Sequence, residues 1–100
     1  MRRAARRDAN ERRVIDALRA CGAYVKQIND EGAFDLLVFY RNQTSGNEYT
    51  LILEVKDGDK PPSARALTPA EQKFHDEWPG QNLYIVNSEH EALDILKRCV

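Results

Sequence analysis

The stretch Leu51-Ile52-Leu53-Glu54-Val55-Lys56 limits what this chain can fold into more than any other. Its four apolar residues are of the kind that sit inside a sheet. In a strand, side chains alternate between faces, so Glu54 and Lys56 project from the same one. A second carboxylate, Asp35, stands just before another apolar run, Leu36-Leu37-Val38-Phe39-Tyr40. Two acids and a lysine converging at the ends of buried strands are costly unless a charged ligand compensates them.

The rest of the chain supplies elements around that strand. Asp8 to Cys21 reads as a helix capped by Asp8 or Asn10, with Val14, Ile15, Leu18 and Cys21 as its apolar stripe and Gly22 as its stop. Glu11 falls in its first turn, where it favours the helix dipole and can pair with an arginine. Ala23 to Ile28 reads as a short strand, and residues 29–32 as a turn. Phe34 to Tyr40 is the next strand, apolar enough to expect cover on both faces. Arg41 to Asn47 is a polar hairpin tip, and Glu48 to Val55 returns antiparallel.

Asp57 to Ala66 holds Gly58, Pro61, Pro62 and Ser63 and is expected to be a loop, basic at Lys60 and Arg65 and long enough for a mobile flap. A helix then begins sharply. Thr68 is the cap, Pro69 the first helical residue and Glu71 the partner in a capping box. It runs to about Trp78, where Pro79-Gly80 ends it. Leu83 to Val86 is a short buried strand. Ser88 caps the last helix, with Glu91 in the capping-box position and Ala92, Leu93, Ile95 and Leu96 as its apolar side. The order is α-β-β-β-α-β-α, which predicts a small mixed sheet flanked by helices.

At 100 residues the chain is expected to be one domain, residues 1–100, with residues 1–8 as a basic arm. No apolar run approaches the roughly 20 residues of a membrane span. The leading arginines are not followed by the apolar segment of a secretory signal, so the expected compartment is the cytoplasm. Cys21 and Cys99 then read as free thiols, without zinc or redox spacing. Net charge is near zero, but Arg2, Arg3, Arg6, Arg7, Arg12 and Arg13 crowd the start. Such a segment suits phosphate contact and equally suits a solvated helix face.

A pair of antiparallel strands can bring Asp35 beside Glu54. Two carboxylates, a backbone carbonyl and waters suit Mg²⁺, which keeps much of its hydration shell. Such a metal would polarise a phosphate and activate water. Lys56 would orient that water or stabilise the charge that develops on the phosphate. Glu54 and Lys56 alone also fit a simple salt bridge at a strand end. His75 and His90 are expected to be structural or exposed, and Phe74 and Trp78, four apart, to be core residues.

Gly32-Ala33-Phe34-Asp35, followed nineteen residues after the Asp by Glu54-Val55-Lys56, resembles the PD-(D/E)XK nuclease superfamily. With Glu11 in the first helix and Leu67-Thr68-Pro69-Ala70-Glu71-Gln72 after the lysine, the chain is most similar to the VRR-NUC (virus-type replication–repair nuclease) family. The likeness spans about residues 11 to 97. It departs at Phe34, where the family pattern usually has Pro.

The resemblance implies a restriction-endonuclease-like fold and Mg²⁺- or Mn²⁺-dependent hydrolysis of DNA phosphodiesters. Asp35, Glu54 and the Val55 carbonyl would hold the metal, with Glu11 completing the acidic site either directly or through water. Lys56 would be the catalytic lysine, and Gln72 would sit near it. Arg2, Arg3, Arg6, Arg7, Lys60 and Arg65 would contact backbone phosphates. A domain this small is expected to act as a homodimer on branched DNA such as a four-way junction. Stand-alone members of this kind resemble phage and bacterial proteins, and no organic cofactor is implied. A non-catalytic DNA-binding or assembly module that keeps the fold is the alternative.

Overall fold

The computed structural model describes residues 9–28 and 32–100. Asp8 as a cap, the arm arginines Arg2, Arg3, Arg6 and Arg7, and most of the turn at 29–32 lie outside those residues. The elements are α1 (Ala9–Ala20), β1 (Tyr24–Gln27), β2 (Leu36–Arg41), β3 (Glu48–Val55), a 3₁₀ turn (Pro62–Ala64), α2 (Pro69–Glu77), β4 (Leu83–Val86) and α3 (Glu89–Lys97). They follow the order read from the sequence. Among the described residues no helix is long and apolar enough to cross a membrane.

The four strands form one mixed sheet in the order β1-β2-β3-β4. β1 with β2 and β2 with β3 are antiparallel, whereas β3 and β4 run parallel. The hairpin tip at 42–47 is closed by Asn42, whose Oδ1 accepts the amides of Thr44 and Ser45 at 2.9 Å each.

One face of the sheet carries Val25, Leu36, Val38, Leu51, Leu53, Val55 and Val86. Against it pack Val14, Ile15 and Leu18 of α1 and Ala92, Ile95 and Leu96 of α3, and this is the core. The alternation of β3 turns Ile52, Glu54 and Lys56 to the other face. There α2 lies over the end of β3, touching it through Glu71. None of α2's residues is fully buried.

Four local expectations change. Cys21 is exposed rather than part of the α1 stripe, and it is a free thiol like the buried Cys99. Asn10 does not cap α1 but lies within it, buried, and its amide donates to the carbonyls of Lys56 (2.5 Å) and Asn87 (3.2 Å). β2 is sealed on one face only: Leu36 and Val38 are buried, while Leu37 and Phe39 are half-buried. β4 is not a buried strand, since Ile85 is 44% exposed on the outer edge of the sheet.

The start of α2 is as the sequence implied. Thr68 Oγ1 accepts the Glu71 amide (3.2 Å) and Glu71 Oε1 accepts the Thr68 amide (2.9 Å), a reciprocal capping box behind Pro69. Gly32 explains how α2 comes so near the sheet. Its φ is +84°, and a Cβ there would sit 2.8 Å from the Cβ of Ala70. Only glycine meets both conditions. Phe34 then stacks on Phe74 (5.6 Å between centroids) and Phe74 on Trp78 (5.7 Å), tying the outer helix to the strand entry.

Candidate active site

Asp35 sits where β2 would begin, and its backbone still pairs. Its amide donates to the Leu53 carbonyl (3.0 Å) and its carbonyl accepts from Ile28 (2.8 Å). Its side chain turns to β3, where Oδ2 accepts the Val55 amide at 2.7 Å. In the parallel ladder the amides of Ile52 and Lys56 bond to the carbonyls of Asn82, just before β4, and of Val86 at its end. Residues alternate in a ladder, so Val55 turns both its amide and its carbonyl to the side of Asp35. The two carboxylates and that carbonyl therefore meet where β2 starts and β3 ends.

Glu54 is 2% exposed. Its Oε2 lies 3.5 Å from Lys56 Nζ, while its Oε1 is buried and, among the described residues, has no hydrogen-bond partner. An orphaned carboxylate oxygen is expensive in a closed site. Burial, followed by the charges of Asp35 and Glu71, pushes the Glu54 carboxyl up to about 9, against the smaller opposing pull of Lys56. Burial also raises Asp35, opposed by the Val55 amide and reinforced by the charge of Glu11. Protons thus take the place of positive charge that the site lacks.

Lys56 donates to Glu71 Oε1 at 2.8 Å. Burial alone would pull its ammonium down, but the Glu71 bond and the neighbouring Glu54 outweigh that and raise it. Glu71 responds oppositely. Burial would raise its carboxyl, yet Lys56 and the Thr68 amide together hold it low. One oxygen of Glu71 therefore closes the capping box and holds the lysine.

The structure brings together Asp35, Glu54, Lys56 and the Val55 backbone. Glu11 is buried on α1, accepts from Gln27 Nε2 at 3.2 Å and lies near enough to act electrostatically on Asp35. Among the described residues no three His, Cys, Asp or Glu side chains are gathered closely enough to hold a metal by themselves. Gln72 is corrected: its side chain is exposed and donates to Asp76 (2.8 Å), and Glu71 makes the lysine contact instead. Lys60 is exposed, and its carbonyl accepts from Arg65 Nε at 2.8 Å.

The sequence signal for Glu71 is its capping-box position, which by itself implies a cap and not a lysine contact. A capping-box glutamate holds its carboxylate at the helix start, and here that start faces the end of β3. A cleft of about 390 Å³ opens nearby, lined among others by Asn10, Arg13, Asp57, Arg65, Asn87 and Glu89. It lies behind the Lys56 carbonyl and does not include Asp35, Glu54 or the lysine side chain. It has both charge signs, and the chemistry of the acids and lysine is not in it. Comparison of the chain with known protein families, with curated proteins and with solved structures finds no match.

Proposed function

We propose that this chain is a metal-dependent deoxyribonuclease of the restriction-endonuclease-like kind, similar to the VRR-NUC family of PD-(D/E)XK nucleases. The observation that carries the reading is the buried Glu54 carboxylate beside Asp35, with one oxygen unpartnered and its proton affinity raised by its acidic neighbours. A divalent cation held there would satisfy that oxygen and balance the excess of acid. Asp35, Glu54 and the Val55 carbonyl would hold Mg²⁺ or Mn²⁺, with waters filling the remaining positions and Glu11 acting through one of them.

Bound there, the ion would polarise the scissile phosphate and make its water more acidic. The protein's own groups do the rest. Lys56, with its proton affinity raised, stays an ammonium at neutral pH, so it donates hydrogen bonds and charge to a phosphate oxygen rather than accepting a proton. Glu71 aims that ammonium from a rigid helix start. Asp35 and Lys56 are partly exposed beside the buried Glu54, and the proposed substrate is the backbone of a DNA strand, with Lys60 and Arg65 as phosphate contacts that make binding weaken with salt. A paired particle suits branched DNA, and the compartment that goes with this reading is the cytoplasm of a bacterial or phage-infected cell.

The test is cleavage of linear, single-stranded, flapped and four-way DNA with Mg²⁺, Mn²⁺ and EDTA, repeated with Glu54→Ala and Lys56→Ala. Metal-dependent products lost in both variants support the reading. Wild-type protein that binds these DNAs but cuts none of them would instead identify a non-catalytic DNA-binding module.

A further inference from the structure

The sheet face that carries Glu54 and Lys56 continues beyond the acids onto β1 and β2. Val25, Leu36 and Val38 turn to the core, so Tyr24 and Lys26 of β1 and Leu37, Phe39 and Arg41 of β2 turn to the acid side. The register sets Tyr24 directly opposite Phe39 and Lys26 opposite Leu37. Tyr24 is 62% exposed, the one exposed aromatic side chain among the described residues, and Phe39 beside it is half-buried.

A lone ring at a surface means little, but this one stands among cations. Lys26 is exposed two residues along the same strand. Arg19 reaches from α1 to donate to the Val25 carbonyl at 3.0 Å, beside Tyr24 and Lys26 in the chain. Arg41 lays its guanidinium over Phe39, 5.7 Å from the ring centroid, and Glu48 holds it there through bonds of 2.6 and 3.0 Å. Two rings are thus framed by three cations and one carboxylate.

We propose that this part of the sheet binds unpaired nucleotides of a DNA strand. Unpaired bases stack on aromatic rings and on guanidinium planes, and the phosphates between them need positive charge close by. Tyr24 offers an open ring, and Arg41 a plane already fixed by Glu48. Lys26 and Arg19 offer charge for the phosphates. A duplex cannot use the rings, because its bases are already stacked within the helix. An apolar protein surface would have to desolvate the cations without pairing them.

The rings and the acids share one face. Tyr24 and Phe39 lie in the row of Thr50, four residues from Glu54 along β3, which is about 14 Å at the rise of a strand. A DNA strand stacked on Tyr24 can therefore reach Asp35 and Glu54 within a few nucleotides. That the nucleic acid is DNA, and that it is led to the acids, rests on the nuclease reading; the stacking of unpaired bases does not.

The experiment measures binding in EDTA, not cleavage. Anisotropy of a fluorescent oligothymidine titrated with the full chain is expected to show Tyr24→Ala weakening the complex about 10-fold or more, the scale of one lost base stack, while Tyr24→Phe stays close to wild type. Both are surface changes, checked by circular dichroism. The wild type alone is expected to show the same difference between oligothymidine and an abasic strand of equal length, a comparison that needs no variant. Lys26→Ala should reduce the salt dependence by about one phosphate contact. A wild type that does not bind oligothymidine, that binds the abasic strand as tightly, or that is matched by Tyr24→Ala would overturn the proposal. Tighter binding of oligouridine than of oligothymidine would overturn its assignment to DNA. Binding that depends on Tyr24 in a protein that cuts no DNA with Mg²⁺ or Mn²⁺ counts against the nuclease reading alone.

Discussion

The two faces of the sheet come from the same strands and serve opposite ends. On one, Leu36, Val38, Leu51, Leu53 and Val55 are sealed beneath α1 and α3. On the other, Ile52, Glu54 and Lys56 lie under α2, a helix with no fully buried residue. The first face gains free energy from every group it covers. The second covers a carboxylate that it does not fully satisfy. Stability is concentrated on one side, and the cost of a buried, incompletely satisfied carboxyl on the other. Because β3 alternates, a shift of one residue in its register would exchange them.

The contrast can be broken by changes along β3 itself. Glu54→Gln should cost cleavage about 10³-fold or more, the scale for removing a group that holds the reacting charge, while the protein stays folded. An unfolded Glu54→Gln protein would show instead that the acid face carries the fold. Leu53→Ala, one residue away on the other face, should lower unfolding free energy by about 3 kcal/mol in urea. Its cleavage per folded molecule should hardly change. Equal effects of the two substitutions on stability would erase the distinction between the faces.

Acid-face strain also has a pH signature. The Glu54 carboxyl titrates near 4.5 when unfolded and at about 9 in the fold. Its contribution is therefore fully present below about pH 4.5 and is lost progressively as pH rises toward about 9. Melting temperature in EDTA should decline across that window, and Glu54→Gln should flatten the decline. At pH 8, Mg²⁺ should raise the melting temperature of wild type but not of the glutamine variant. The smallest effect belongs to the helix cap. Thr68→Ala should cost about 1 kcal/mol and lower cleavage modestly by loosening Glu71, with hydrogen exchange of the first α2 amides as the readout.

Much of this was legible in the chain because the signals were local. β3 and β4 have the bounds that composition implied, and the box at Thr68 and Glu71 forms as its spacing required. Asp35, Glu54 and Lys56 were readable as neighbours because a hairpin joins their strands. What was missed depended on how distant elements meet. The second task of Glu71 needs α2 to lie over β3, an approach set by Gly32 and Phe34 rather than by the helix's own sequence. Gln72 is one residue on and faces away. The exposure of Ile85 follows from β4 being an edge, which no pattern in Leu83–Val86 announces. Asn10 looks like a cap in isolation and becomes a tertiary contact only once two other strand ends are in place.

That last contact bears on the order of assembly. Asn10 reaches the ends of β3 and β4 across 46 and 77 positions of chain. Its two acceptors come together only after the parallel pair has formed, the slowest kind of strand pairing because the chain between must first be closed into a loop. The Asn10 contact of α1 therefore waits for that pairing, although α1 precedes both strands in the chain. The amide of one asparagine then registers that the crossover is complete. Asn10→Ala should mainly speed unfolding while leaving the folding rate nearly unchanged, the signature of a contact made after the barrier is crossed.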